Sequence, residues 1–233
     1  ACTCTCKQQG GSHSSHRSSI TSITLPEGLT TMCDGAFNSC VLTSVTIPSS
    51  VQDLGTSAFS GCDNLIKVII ESDSVMSKNY SSNNNLPYRF GDKVKEYIIG
   101  DNVTKIGEYA FYNVDSIRSV VIGNGVKSIG ERAFCYCDKL DSVILPNSLV
   151  EIKDYAFTDC SSLSSIIIPN SVKSIGARTF KGCTALANVT MGESVESIAS
   201  QAFNDCTELA SITIPSSVKD LGTYAFSGCD NLI

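Results

Sequence analysis

Cysteine is the residue that first invites a chemical reading: there are twelve in 233 residues, together with two histidines, His13 and His16. Cys2, Cys4 and Cys6 alternate with threonine close to both histidines, a set of soft ligands of the type that holds zinc. Their spacing matches no strong zinc signature, and the Ser/Gly-rich surroundings read as a tail. No metal and no cofactor is therefore expected, and residues 1–19 are taken as a flexible N-terminal tail or cap. Cys135 and Cys137 form a Cys-x-Cys pair that would suit redox chemistry. Yet Cys137 is one of seven cysteines, with Cys40, Cys62, Cys160, Cys183, Cys206 and Cys229, that each follow a phenylalanine by three positions. Val114 fills the same place after Phe111, which describes a small apolar slot, and a buried cysteine behaves as a small hydrophobe. Stacked in register, such residues have Cα atoms about 4.8 Å apart but parallel Cβ vectors, a poor geometry for disulfides. The expectation is a ladder of free thiols, with no role assigned to Cys2, Cys4, Cys6 or Cys135.

Other catalytic constellations fare no better. A Ser/His/Asp or Cys/His arrangement would require His13 or His16 to fold back from the tail. The carboxylate pairs Glu193/Glu196 and Asp101/Glu108 read as solvated charges, and the Gly-Asn-Gly at 123–125 precedes no helix signature that could cradle a phosphate. No enzyme is expected. The net charge of −6 comes without any Lys/Arg cluster, which argues against nucleic acid and anionic membrane surfaces. No apolar run approaches the roughly 20 residues that span a bilayer, so membrane insertion is not expected either. With 42% apolar and 17% charged residues, the chain has enough apolar material for a sizeable core.

The elements that must position these residues follow from a repeat. Phe111, Phe134, Phe157, Phe180, Phe203 and Phe226 are each 23 residues apart, Phe37 and Phe59 are 22 apart, and only Phe90 breaks the rhythm. Apolar residues fall six, nine, eleven, fifteen and eighteen positions after each phenylalanine, as in Leu163, Ile166, Ile168, Val172 and Ile175. The pair at nine and eleven has period two, which puts both side chains on one face of a short strand. Pro or Gly then ends the strand in most coils, at Pro48, Gly123, Pro146, Pro169 and Pro215 for example. A Gly at position nineteen (Gly55, Gly107, Gly130, Gly176, Gly222) is consistent with a second bend, although Lys153 and Ala199 take that place elsewhere. One coil cannot bury enough apolar surface to order itself, so coils must stack. Nine strands are expected, near 23–25, 45–47, 68–70, 97–99, 120–122, 143–145, 166–168, 189–191 and 212–214, in one parallel sheet.

The pattern Cys-x-x-Leu-x-x-Val/Ile-x-Ile-Pro-x-x-Val-x-x-Ile-Gly-x-x-Ala-Phe resembles the BspA-like, or treponemal-type, leucine-rich repeat, over residues 20–233. The resemblance implies a mostly-β, right-handed curved solenoid with a concave parallel sheet and short turns or 3-10 segments on the convex side. It also implies a cell-surface or secreted location and adhesion or protein binding, with a host matrix or cell-surface protein as the partner.

Two features are candidates for binding. Between Phe59 and Phe111 the chain is six residues longer than two coils, and the Ser/Asn-rich stretch 71–93 reads as an expanded surface loop, with Tyr80, Tyr88 and Arg89 as its contacting residues. The outward residue of each strand is the other. Ile69, Ile98, Val121, Ile144 and Ile167 would align as an apolar stripe of roughly 250 Å², flanked by Thr at both ends and rimmed by Lys67, Glu96 and Arg118. The leading expectation is a non-catalytic protein-interaction module that uses this stripe and the 71–93 loop. A carbohydrate-binding module, with loop tyrosines and edge carboxylates holding a glycan, and a purely structural spacer are the alternatives. The sequence stops mid-repeat at Ile233, which suggests a fragment or a stack continued by another molecule.

Overall fold

The computed structural model describes residues 20–233, and the tail that carries Cys2, Cys4, Cys6, His13 and His16 lies outside them. The chain forms a mostly-β parallel solenoid of about eight turns with almost no helix. Its main ladder pairs Ser44–Ile47, Lys67–Ile70, Glu96–Ile99, Ser119–Ile122 and Ser142–Ile144 in parallel, and Ser165–Ile167 pairs likewise with Asn188–Thr190. The alternation of buried and outward residues that the period-two pattern requires is present, as in Val68 and Ile70, which point inside, alternating with Lys67 and Ile69, which point outward. Seven of the nine expected strands form, in two ladders. Residues 23–25 and 212–214 are not strands; as outermost positions of the described stack they have a neighbouring coil on one side only, which halves the ladder bonds available to them.

A second parallel ladder runs along the descent of the coils. It links the two-residue strands Lys105–Ile106, Ser128–Ile129, Glu151–Ile152, Ser174–Ile175, Ser197–Ile198 and Asp220–Leu221, each with its Ile or Leu at the eighteenth position of the repeat. Turns connect it to the phenylalanines, and no 3-10 segment occurs among the described residues. These strands are too short to appear as strand patterns in the sequence. They are held by their neighbours, since each pairs with the same two residues one coil away.

A third set of bonds joins the coils at the phenylalanine corner. Phe111, Phe134, Phe157 and Phe180 donate their N–H to the carbonyl of Ala133, Ala156, Thr179 and Ala202 in the following coil, at 2.7–2.9 Å. The residues two before and two after also donate forward, as Arg132 does to Asp154 O and Tyr136 to Thr158 O. Those flanking residues adopt the left-handed conformation: Tyr109, Arg132, Tyr155, Arg178, Gln201 and Tyr224 on one side, and Asn113, Tyr136, Asp159 and Asp205 on the other, have φ of 53–61°. A non-glycine residue there costs on the order of 1 kcal/mol, which the inter-coil bond at the same residue offsets in all of these but Tyr224, which belongs to the last coil and takes the same conformation without such a bond. The glycines at the nineteenth position serve another purpose and none has positive φ. A Cβ on Gly130 would lie 2.7 Å from Glu108 N, and one on Gly107 would fall on Lys78 O. They allow the coils to approach.

The core is a column of rings. Phe37–Phe59, Phe59–Phe90 and the run from Phe111 to Phe226 stack with centroids 5.0–5.5 Å apart and planes within 16° of parallel. Phe90, out of rhythm in the sequence, is thus in register in space.

Candidate binding site

The outward residues of the main ladder align as expected. Thr46, Ile69, Ile98, Val121 and Ile144 are direct partners across five strands, and Ile167 faces Thr190 in the next pair. Their exposure is uneven. Ile144 and Ile167 are 58% and 68% exposed, whereas Ile69, Ile98 and Val121 are half-buried. The apolar surface therefore concentrates at one end of the row. Of the rim, Lys67 and Glu96 are cross-strand partners joined by a 3.2 Å ion pair, and Arg118 is exposed. A surface pair of this kind contributes little to stability, but it fixes two charges beside the stripe.

The stretch 71–93 is built into the stack. Ser72 Oγ accepts from Val75 N at 3.0 Å and donates to Val51 O, capping the short helix α1, Asp73–Met76, and tying it to the previous coil. Pro87 opens α2, Pro87–Phe90, and Gly91, at φ 86°, closes it. Val75, Met76, Leu86 and Phe90 enter the core; these apolar residues are the reason the segment is ordered rather than a free loop. The three residues expected to make contacts are consequently divided. Arg89 is only 4% exposed, donates to Asn84 Oδ1 and Asn85 O at 2.8 and 2.6 Å, and lies 5.0 Å over the ring of Tyr80. Tyr80 gives its hydroxyl to Val75 O at 2.6 Å, and burial raises its pKa. Both brace the segment from within, and only Tyr88 presents its ring outward, at 50% exposure.

Tyr88 lines a cleft of about 460 Å³ where the insertion meets its neighbouring coils. One wall comes from the coil of Phe59, through Ser57, Ser60 and Asp63; another from the insertion, through Ser82, Asn85, Tyr88 and Asp92; the third from Tyr112 and Asn113. Asn85 is 2% exposed, and its Nδ2 donates to Tyr112 O at 2.8 Å while its Oδ1 has no partner. At the mouth Asp92 pairs with Lys93 at 2.9 Å, and that hydrogen bond holds its carboxyl below the usual range. Ser57, Ser60, Asp63, Ser82, Asn85, Asp92, Tyr112 and Asn113 had no signal in the sequence, because the cleft is walled jointly by the insertion and by residues of two separate coils.

Six copies of the BspA type leucine rich repeat region are recognised in the sequence, over residues 11–87 and 104–233. The chain belongs to this family. Among solved structures it is similar to a leucine rich cell surface protein from Faecalibacterium prausnitzii, with 30% identity, a TM-score of 0.59, and 82% of this chain and 46% of that one covered. It is also similar to a leucine-rich repeat protein from Bacteroides ovatus, at 25% identity and TM-score 0.55, covering 91% and 65% of the two chains, and to a leucine-rich repeat protein of T. pallidum, at 27% identity, TM-score 0.50, covering 67% and 91%. The chain thus spans about half of the first of these and about two thirds of the second. No curated protein matches it. The relatives are leucine-rich repeat proteins, a non-enzymatic family, and membership points to an interaction or structural role.

In this BspA-type repeat the recurring cysteines line the core. Cys137, Cys160, Cys183, Cys206 and Cys229 are free and buried, and each donates its thiol to a phenylalanine carbonyl of the preceding coil at 3.0–3.2 Å, Cys160 to Phe134 O and Cys183 to Phe157 O among them. Cys62 does the same to Phe37 O at 3.1 Å, and Cys40 is buried in the equivalent slot. The family pattern therefore satisfies the second lone pair of the corner carbonyl. Cys33 is disulfide-bonded. Cys135, two positions from Cys137, is also buried, and burial pushes its thiol up to about 12, followed by the repulsion of Asp159. A thiol so far from ionising is a poor nucleophile, and no group of three or more His, Cys, Asp or Glu able to hold a metal occurs among the described residues. No helix among them is long and apolar enough to cross a membrane.

Proposed function

We propose that this chain is a non-catalytic, extracellular adhesion module that binds a protein ligand, such as a host matrix or cell-surface protein, through the outward stripe of the main ladder together with the 71–93 segment. The observation that carries this reading is the exposure of Ile144, 58%, at the end of the row Ile69, Ile98, Val121 and Ile144, together with that of Ile167, 68%, on the adjoining strand pair. A single exposed isoleucine needs no explanation, but an aligned row is an apolar patch, and such patches mark interaction surfaces. Lys67, Glu96 and Arg118 beside it supply the polar rim that interfaces have. The similarity to a bacterial leucine rich cell surface protein supports a location on the cell surface or outside the cell.

The test measures binding of the purified chain to a panel of immobilised matrix and cell-surface proteins by surface plasmon resonance. Saturable binding that weakens about tenfold or more in the Ile144→Ser/Ile167→Ser double variant is expected, since each side chain would bury in the interface. Unchanged binding by that variant removes the stripe, and no saturable binding to any member of the panel leaves a structural spacer.

A further inference from the structure

We infer that the cleft walled by Tyr88, Tyr112 and Asn85 is a binding site for a neutral sugar ring of a glycan. The site is independent of the stripe. It lies where the insertion joins the stack: Phe90 follows Phe59 by 31 residues instead of about 23, and residues of the insertion enclose a space of about 460 Å³ with Ser57, Ser60 and Asp63 on one side and Tyr112 and Asn113 on the other. That volume lies within the range of small-molecule sites, roughly 300–1,000 Å³, and admits a mono- or disaccharide.

The lining fits the two-sided chemistry of a pyranose, which has an apolar C–H face and a rim of hydroxyls. Tyr88 supplies a half-exposed ring. Tyr112 supplies a second, held in place by Tyr109 and Tyr136 at centroid distances of 5.3 and 5.6 Å and by the bond from Asn85 to its carbonyl. A wall fixed in advance loses little freedom on binding. Hydroxyls need both donors and acceptors, and Ser57, Ser60 and Asn113 offer both.

The electrostatics select a neutral ligand. Asp63 and Asp92 at the mouth oppose an anion. They do not constitute a cation site, because Lys93 is bonded to Asp92 at 2.9 Å and its charge also acts on Asp63. The remaining lining groups are uncharged hydroxyls, amides, glycine, proline and tyrosine rings, which favours a sugar over the basic side chain of a protein ligand.

The experiment uses the whole chain with methyl glycosides of glucose, galactose, mannose and N-acetylglucosamine, and with cellobiose and lactose, followed by saturation-transfer NMR and calorimetry. At least one of these binds saturably, Tyr88→Ala weakens it by about tenfold or more, and Ser82→Trp, which fills the cleft from an exposed position, abolishes it. Circular dichroism of both variants verifies folding. Ile144→Ser/Ile167→Ser leaves sugar binding unchanged, so the stripe and the cleft fail or survive separately. Absence of binding by every probe, binding indifferent to both cleft variants, or preferential binding of arginine methyl ester in the cleft overturns the inference.

Discussion

The coils from Phe111 to Phe226 and the segment that carries the insertion solve one packing problem in different ways. In the regular coils everything recurs at 23 residues: rings stack at 5.0–5.5 Å, thiols from Cys137 onward meet the corner carbonyls, and left-handed residues sit at fixed places. Around the insertion the column is interrupted. Tyr97 wedges between Phe90 and Phe111 with edge-on contacts of 6.1 and 4.7 Å, and its buried hydroxyl has no partner. Val114 stands where a cysteine would, Arg89 is buried, and the residues recognised as family repeats break off between 87 and 104. Repetition supplies stability cheaply, because one solution is used in every coil. The irregular segment needs individual bonds from Ser72, Asn85 and Arg89 to hold together, and what it gains over the regular coils is a cleft.

The largest difference between the two regions should appear at equivalent glycines. Gly107 packs against the insertion, where a Cβ would meet Lys78 O, whereas a Cβ on Gly130 would meet Glu108 N at 2.7 Å in a regular neighbour. Regular coils can yield, since Lys153 and Ala199 occupy the same repeat position. Gly107→Ala should therefore destabilise by about 3 kcal/mol and Gly130→Ala by about 1 kcal/mol, read from urea unfolding midpoints. Equal losses would mean that the insertion is no more rigid than a coil. A smaller effect of opposite sign is expected at Tyr97. Removing its hydroxyl by Tyr97→Phe keeps the ring and deletes a buried group without a hydrogen bond, so the variant should gain about 1 kcal/mol. A loss in the same unfolding measurement would show that the hydroxyl is satisfied in solution.

How much of this was legible in the sequence divides along the same line. Where residues recur, inference was direct: Val68 with Ile70 and Ile166 with Ile168 revealed strands, and their outward neighbours revealed the stripe. The two-residue strands such as Ser128–Ile129 were not legible, because they are set by the coil next door and carry no local pattern. The left-handed positions were hidden for a related reason. Tyr109, Arg132 and Gln201 have no intrinsic preference for that conformation and are forced into it by inter-coil bonds. In the insertion the composition misled. Serine and asparagine suggested a surface loop, yet Asn85 and Arg89 are buried and structural, while Tyr112, which lines the cleft, looked like an ordinary repeat residue.

The smallest effect tests whether the regular region uses cysteine for its chemistry or for its shape. Cys160→Val installs in a regular coil the substitution that Val114 already makes beside the insertion. Phe134 O would lose the bond from Cys160 Sγ but keep that from Cys137 N at 3.3 Å. A carbonyl still bonded once leaves no orphan, and valine is close to cysteine in volume, so the change should stay within about 1 kcal/mol. Titration with a thiol reagent should find Cys135, Cys137, Cys160 and Cys183 unreactive until the chain unfolds. The shift at Cys135, from an ordinary 9.0 to about 12, sets the sign of its own contribution: the unfolded state loses this proton first, so what Cys135 contributes to stability is level below pH 9 and falls as the pH rises from 9 towards 12. Cys160→Val should leave that fall at Cys135 in place while removing its own share, because burial raises Cys160 as well. A thiol that reacts quickly in the folded chain at neutral pH would contradict the packing role, since it would have to be both ionised and reachable where the structure makes it neither.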